Sequence, residues 1–478
     1  MIRYAAILLT MASMAAARAA DALWPQFRGP SGSGVAEEQR PPIEIGVEKN
    51  LRWKRSIPSG FSSPIAVGEI LALTALEDGK LYTIAYRRAD GEEVWRAEAP
   101  ASKLEAHHKT EGSPAASTPA TDGQRIVSYF GSCGLFCYDL AGKELWKHEM
   151  PPAESLGGFG TGVSPVLADN IVVLLRDEGK ESKIIALDAA TGDPIWEMKR
   201  QSKGGFCTPV VWDTPDGKQV VAPGHERMIG YDLATGEEMW FVVGMPSSPC
   251  ASPVVSDGDL LYAAWSPGAA DDTEFQMPSF DQFLQGASGD PNADGVVSRD
   301  ELKESDQGFF DSFDANKDGN VTREEWEVLL AFMAQAKNSA FAVKPGGSGD
   351  VTKSHVRWLK TRGLPYVPSA ICYQGQFVMV KDGGIVTAYD AKSGEELYQK
   401  RALATGSYYA SPVAANGYIY FTSLADGAIT VLEAGEDSPK VAAKNPPLGE
   451  RVAATPAIAD DSLYVRTAEN LYAFGEKQ

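Results

Sequence analysis

Ile229-Gly230-Tyr231-Asp232-Leu233-Ala234-Thr235-Gly236-Glu237-Glu238-Met239-Trp240 is the stretch that decides the fold. A short apolar strand ends in Asp, a Thr-Gly turn follows, and a Trp stands four residues past the Gly. Asp and Gly permit the tight turn, Gly because it takes positive φ without Cβ strain. The same order recurs from Asp188 through Thr191-Gly192 to Trp196 and from Asp390 through Ser393-Gly394 to Tyr398. Shorter forms run from Asp90-Gly91 to Trp95 and from Asp139 through Gly142 to Trp146.

Working outward, each unit opens on Ser/Thr-Pro and an apolar run. The pairs are Ser63-Pro64, Thr118-Pro119, Ser164-Pro165, Thr208-Pro209, Ser252-Pro253, Ser411-Pro412 and Thr455-Pro456, with Ser369-Ala370 as a variant. The intervals between the hydroxyl residues are 55, 46, 44, 44, 117, 42 and 44. Six of these seven are of similar length, and the one of 117 carries an insertion. Between opening and Trp lie turns such as Asp257-Gly258 and Asn416-Gly417, and strands such as Leu260-Leu261-Tyr262. Four short strands per unit make a twisted antiparallel sheet. A sheet that cannot bury both faces alone must stack, and radial stacking closes a propeller. A Trp flat between two sheets contributes roughly 3 kcal/mol.

Eight hydroxyl openings predict eight blades. The last has only three strands, ending at Tyr472-Ala473-Phe474, while Leu51-Arg52-Trp53-Lys54 is an orphan strand of the missing type. The N-terminal strand is therefore expected to complete the last blade and protect two sheet edges. Trp24 to Asn50, rich in Pro, Gly and polar residues, is expected to run over the surface as an arm.

Composition narrows the function classes. The chain has 478 residues, with 17 Tyr, 18 Phe and 10 Trp, ample for a core, so global disorder is excluded. The net charge of −20 argues against nucleic-acid binding, which needs a basic face. Of that charge, −12 falls between Asp271 and Glu327. Arg3, the apolar Tyr4–Ala17 stretch and Ala17-Arg18-Ala19 read as a cleavable export signal. No Cys precedes Cys133, so no lipid-anchor cysteine follows it, and no segment reads as a membrane span. A periplasmic or secreted protein is expected. Cys133 with Cys137, and Cys207 with Cys250, are the pairs worth testing for a disulfide.

The acidic insertion carries the one strong chemical motif. Asp290, Asn292 and Asp294 stand at positions 1, 3 and 5 of a twelve-residue loop, with Gly295 at 6, Val296 at 7, Ser298 at 9 and Glu301 at 12. Asp314, Asn316, Asp318, Gly319, Asn320, Thr322 and Glu325 repeat the pattern 24 residues later. Side-chain oxygens at 1, 3 and 5, a carbonyl at 7, a water-linked hydroxyl at 9 and a bidentate Glu at 12 wrap one calcium ion. Two calcium ions are expected, held at about 10⁻⁵ to 10⁻³ M as in extracellular modules. Val297 and Val321, at position 8, are expected to pair the loops. Apolar helical faces flank them: Phe280, Phe283 and Leu284 before, Leu302, Phe309, Phe310 and Phe313 between, and Trp326, Leu329, Leu330 and Met333 after.

The Asp-x-x-Thr-Gly-to-Trp unit is similar to the tryptophan-docking motif of PQQ-like β-propellers, and Trp24-Pro25-Gln26-Phe27-Arg28-Gly29-Pro30 looks like the start of an exported bacterial group of them. The insertion resembles an EF-hand pair. The resemblance implies an all-β, eight-bladed propeller of four-stranded antiparallel blades with a small α-helical insertion in the fifth blade. The expected division is a signal peptide at 1–19, an arm at 20–50, blades 1 to 5 (first part) at 51–270, the EF-hand pair at 271–340, and the end of blade 5 to blade 8 at 341–478.

A fold hosts many functions. The leading expectation is a non-catalytic calcium-binding module or scaffold, taking a protein, peptide or glycan ligand on a propeller face. The alternatives implied by the resemblance are a quinone (PQQ)-dependent oxidoreductase and an outer-membrane assembly factor similar to BamB. Against the first alternative, the chain has no adjacent Cys-Cys to cap a quinone, and no catalytic or quinone-binding residue is assignable. His107-His108 reads as part of a polar surface loop.

Overall fold

The computed structural model describes residues 23–476 apart from 179–180, 203, 268–276, 287–288, 303–309, 315, 317 and 335. The export signal, Phe309 and the first acidic residues of the insertion lie outside the described residues.

Eight antiparallel sheets form the propeller. Blades 1 to 4 span 65–99, 120–149, 166–199 and 210–243, and blades 6 and 7 span 371–401 and 413–444. Blade 5 takes its first two strands from Val254–Ser256 and Asp259–Ala264 and its last two from Ser339–Val343 and Val356–Lys360. The insertion thus joins its second and third strands. Blade 8 combines Ala457–Ala459, Ser462–Arg466 and Asn470–Phe474 with Leu51–Ser56, as expected. Leu51 lies opposite Phe474 and Ser56 opposite Asn470. Blade 4 departs from four strands: Gly349–Asp350 adds a short parallel strand against Trp240 and Phe241.

The Trp residues dock on the turns of the next blade. Trp53 Nε1 donates to the Arg88 carbonyl, Trp95 to Leu140, Trp146 to Ala189, Trp196 to Leu233 and Trp358 to Ala391, at 2.9–3.1 Å. Each ring lies on a turn glycine. A Cβ at Gly91, Gly142, Gly192, Gly236 or Gly394 would stand 2.5–2.7 Å from the ring, so only Gly fits. Trp240 breaks the series. The blade that follows it lacks the Asp-x-x-Thr-Gly turn, and Trp240 packs on Gly230 of its own blade, donating to Gln219 at 2.7 Å.

The first part of the arm is not on the surface, while residues such as Glu37, Glu38 and Val47 to Lys49 are exposed as expected. Trp24 and Arg28 are fully buried. Trp24 exchanges backbone hydrogen bonds with Ala66 of blade 1, and the Pro25 carbonyl accepts from Thr121 of blade 2. The turn at Pro30–Gly32 lies against Val210–Thr214 of blade 4. Arg28 donates to the Ala370 carbonyl of blade 6, and Gly34 and Ala36 bond Ala414 of blade 7. Touching inner strands of blades 1, 2, 4, 6 and 7, the arm crosses the propeller axis. Its polar composition suits a plug because its backbone finds strand partners.

All five cysteines are free, so neither suggested disulfide is present. Burial pushes the Cys207 thiol well up, which makes it a small apolar residue rather than a nucleophile.

Candidate functional site

The openings of the units meet at the axis. Ser63 N–H donates to Thr118 Oγ1, Thr118 to Ser164, Ser164 to Thr208, Thr208 to Ser252, Ser252 to Ser369, Ser369 to Ser411, Ser411 to Thr455 and Thr455 to Ser63. The distances are 2.9–3.0 Å throughout. The ring is closed, and the variant Ser369 keeps its place because the bond needs the hydroxyl and the N–H, not the following Pro.

Successive strands alternate in direction, so the connections between blades and those between second and third strands share one rim. That rim carries the insertion and a set of half-buried aromatics. Phe159 stacks on His108, with centroids 5.6 Å apart, and meets Phe206 edge-on at 6.2 Å. Trp265 meets Tyr366 edge-on at 5.4 Å. The Arg451 guanidinium stands 5.7 Å from the Phe61 ring and 5.5 Å from Tyr409.

A polar strut spans this rim. The Tyr409 hydroxyl, between blades 6 and 7, donates to Glu111, between blades 1 and 2. Arg451 Nη2, between blades 7 and 8, reaches the same carboxylate at 3.5 Å. Burial opposes ionisation of Glu111, but Tyr409 and Arg451 outweigh it and hold the carboxyl below its usual range. The connector from blade 1 to blade 2 thereby reaches three blades round the ring. At its base Glu105 is buried, its backbone N–H held by Ser132 Oγ at 2.9 Å and its carboxylate bonded by Thr161. Burial pushes the Glu105 carboxyl up to about 7. A cavity of about 590 Å³ opens between blades 4 and 5, lined by Arg227, Phe241, Val243, Lys337, Thr352 and Leu359.

The insertion loops are wound on their own first residues. Asp290 accepts from the N–H groups of Asp294 and Gly295 at 3.1 and 2.8 Å, and Asp314 from those of Asp318 and Gly319 at 3.1 and 2.9 Å. Gly295 and Gly319 take φ of 85° and 90°, which the sharp turn requires. Val297 pairs antiparallel with Val321, and Ser298 with Asn320, as expected. Both valines are buried in a small core with Phe280, Leu302, Phe310 and Trp326. Glu301 and Glu325 turn one oxygen back onto Ser298 and Thr322, at 2.7 and 2.9 Å from their N–H groups. The other oxygen of Glu301 is buried without a partner. Among the described residues no three acidic, His or Cys side chains already converge on one point.

Fold and rim together define a PQQ-like β-propeller protein bearing an EF-hand. The family model described as outer membrane protein assembly factor BamB matches residues 83–268 and 334–477, and the chain belongs to that family. An EF-hand model matches residues 306–330. No curated protein matches the sequence significantly. Among solved structures, BamB from Moraxella catarrhalis is 14% identical with a TM-score of 0.54, covering 89% of this chain and 98% of that one. The computationally designed Ika8 protein is 12% identical with a TM-score of 0.56, over 89% and 100%. The quinohemoprotein alcohol dehydrogenase from Comamonas testosteroni is 14% identical with a TM-score of 0.45, over 95% and 81%. At such identities the likeness is one of fold.

The hydroxyl ring, the buried arm and the Glu111 strut are the features that reading the chain in order missed. For the ring, the sequence leads one to expect the Ser/Thr-Pro openings near one mouth of the central channel, but not the hydrogen bonds that join them.

Proposed function

We propose that this is an exported calcium-binding propeller that acts as a binding or scaffold module, receiving its ligand on the aromatic rim beside the EF-hand pair. The rim itself carries the reading. Half-buried Phe61, Phe159, Trp265 and Tyr409 and the exposed Tyr366 face one side, and the charged strut stands against Phe61 and Tyr409. Rigid aromatic surface with a polar border is what protein, peptide and glycan ligands are bound by.

Asp290, Asn292, Asp294, Val296, Ser298 and Glu301 would hold one calcium ion, and Asp314, Asn316, Asp318, Asn320, Thr322 and Glu325 a second. The unpartnered buried oxygen of Glu301 and the Gly-turned loops fit such an ion. Calcium supplies charge neutralisation there. The chain's own part is to fix the loops through the Val297–Val321 pair and to seat the small core. The membership in the BamB family favours a protein partner over a glycan.

The test is a peptide and glycan array probed with the wild type and with a Trp265→Ala/Tyr366→Ala double variant in calcium. The reading expects a ligand class lost in the double variant. A ligand bound equally by both would place binding elsewhere and overturn it.

A further inference from the structure

Among the described residues the guanidinium groups of Arg28, Arg200 and Arg466 are enclosed, and they are not alike. Arg200 is answered by Asp177, with Nε to Oδ1 at 2.8 Å, and by Tyr231 at 2.8 Å. Arg466 gives Nη1 and Nη2 to Ser62, Thr74 and Pro58 at 2.6–3.2 Å, which leaves only its Nε without a partner. Arg28 has only Nη2 engaged, on the carbonyls of Ala370 and Ser33. Its Nε and Nη1 are buried with no partner. Burial lowers its pKa to about 9 with no opposing charge, so it remains a cation at neutral pH. An enclosed guanidinium with no counter-charge is unfavourable unless something of opposite charge reaches it.

The surroundings are rich in donors and poor in acceptors. Ala370 follows Ser369 of the hydroxyl ring, so the guanidinium stands beside that ring. Each ring hydroxyl accepts a neighbour's N–H, which leaves its own proton to donate. Trp24 Nε1, in the same arm, is also buried without an acceptor. Water satisfies donors but does not balance the charge.

We propose that the propeller axis holds one small inorganic anion, a halide, bound by Arg28 between the hydroxyl ring and the N-terminal arm. The arm crosses the axis on one side, and the Glu111–Tyr409–Arg451 strut reaches over the rim on the other. Arg28 Nε and Nη1 are themselves shut off from solvent, and this enclosure selects a small ion over a carboxylate-bearing ligand. The anion locks the arm in place by pairing the one charge the arm brings inside.

The test is anomalous diffraction from crystals of the full chain grown in bromide. One peak within hydrogen-bonding reach of Arg28 Nε or Nη1, absent in Arg28→Gln, is expected. No peak, density there without anomalous signal, or a peak retained in Arg28→Gln would overturn the proposal. Arg28 also ties the arm to Ala370, so a solution measurement on the wild type stands beside the variant. Its thermal midpoint in sodium chloride should exceed that in sodium gluconate at equal ionic strength, saturably. Equal midpoints would contradict the site.

Discussion

Thr455 N–H donates to Ser63 Oγ at 3.0 Å across 392 residues of sequence. This bond joins the last unit to the first and makes eight hydrogen bonds one closed ring. A backbone N–H at each blade opening would otherwise be buried without an acceptor, because the inner strand begins only after it. The hydroxyl at each opening is thus an interface residue. It belongs to its own blade in sequence and to the preceding blade in energy.

Replacing one of these hydroxyls should therefore cost stability out of proportion to its size. Thr118→Val keeps the shape and removes the acceptor for Ser63 N–H. A buried N–H left unpaired costs about 1–3 kcal/mol. Denaturant unfolding of Thr118→Val and Thr208→Val should both show a loss in that range. A loss below about 0.5 kcal/mol, the scale of a neutral surface change, would mean the ring contributes little.

The Trp-on-Gly contacts predict an asymmetry between two glycines with similar backbones. Gly142 has φ 86° and a Cβ there would stand 2.6 Å from the Trp95 ring, whereas Gly258 has φ 82° and open space around it. Gly142→Ala should be less stable than Gly258→Ala by about 1–3 kcal/mol, the usual cost of overpacking. The two unfolding midpoints, measured side by side, separate ring contact from backbone strain.

Calcium should be held by the insertion and not by the propeller. Glu301→Gln and Glu325→Gln should each weaken calcium binding about tenfold or more, a change of about 1.4 kcal/mol per decade. Far-UV circular dichroism of the blades should be unchanged. Trp326, stacked on Phe283 with centroids 4.2 Å apart, should report calcium removal by fluorescence. Loss of propeller signal in both variants would contradict a separable module.

Glu105 sets a pH dependence. Burial raises its pKa from 4.5 to about 7. The folded state then binds more protons than the unfolded state between those values, so stability falls as pH rises through this window. Thermal midpoints of the wild type should decline from pH 4.5 to 7 more steeply than those of Glu105→Gln. Parallel curves would show that Glu105 is not protonated in the folded state.

Much of the fold was legible because its signals are local and repeated. Ser/Thr at even spacing, Gly236 before Trp240 and the orphan strand at Trp53 each state one unit's grammar, and closure follows from counting. The loops at Asp290 and Asp314 were legible because calcium demands oxygen ligands at fixed offsets. What stayed hidden lies between units. Trp24 and Arg28 are two residues in a Pro- and Gly-rich stretch, and their burial depends on a channel that exists only once eight blades surround it. Glu111 and Tyr409 are 298 residues apart, and nothing near either predicts the other. The added strand at Gly349–Asp350 pairs with a neighbouring blade, so no period in its own unit marks it.

A binding module, unlike a quinone enzyme, should leave quinone unbound. Calorimetric titration of the purified chain with pyrroloquinoline quinone in excess calcium, followed by Trp fluorescence, tests it most directly. No saturable heat or quenching is expected up to high micromolar quinone. Stoichiometric, saturable binding would contradict it and place a quinone site within the propeller.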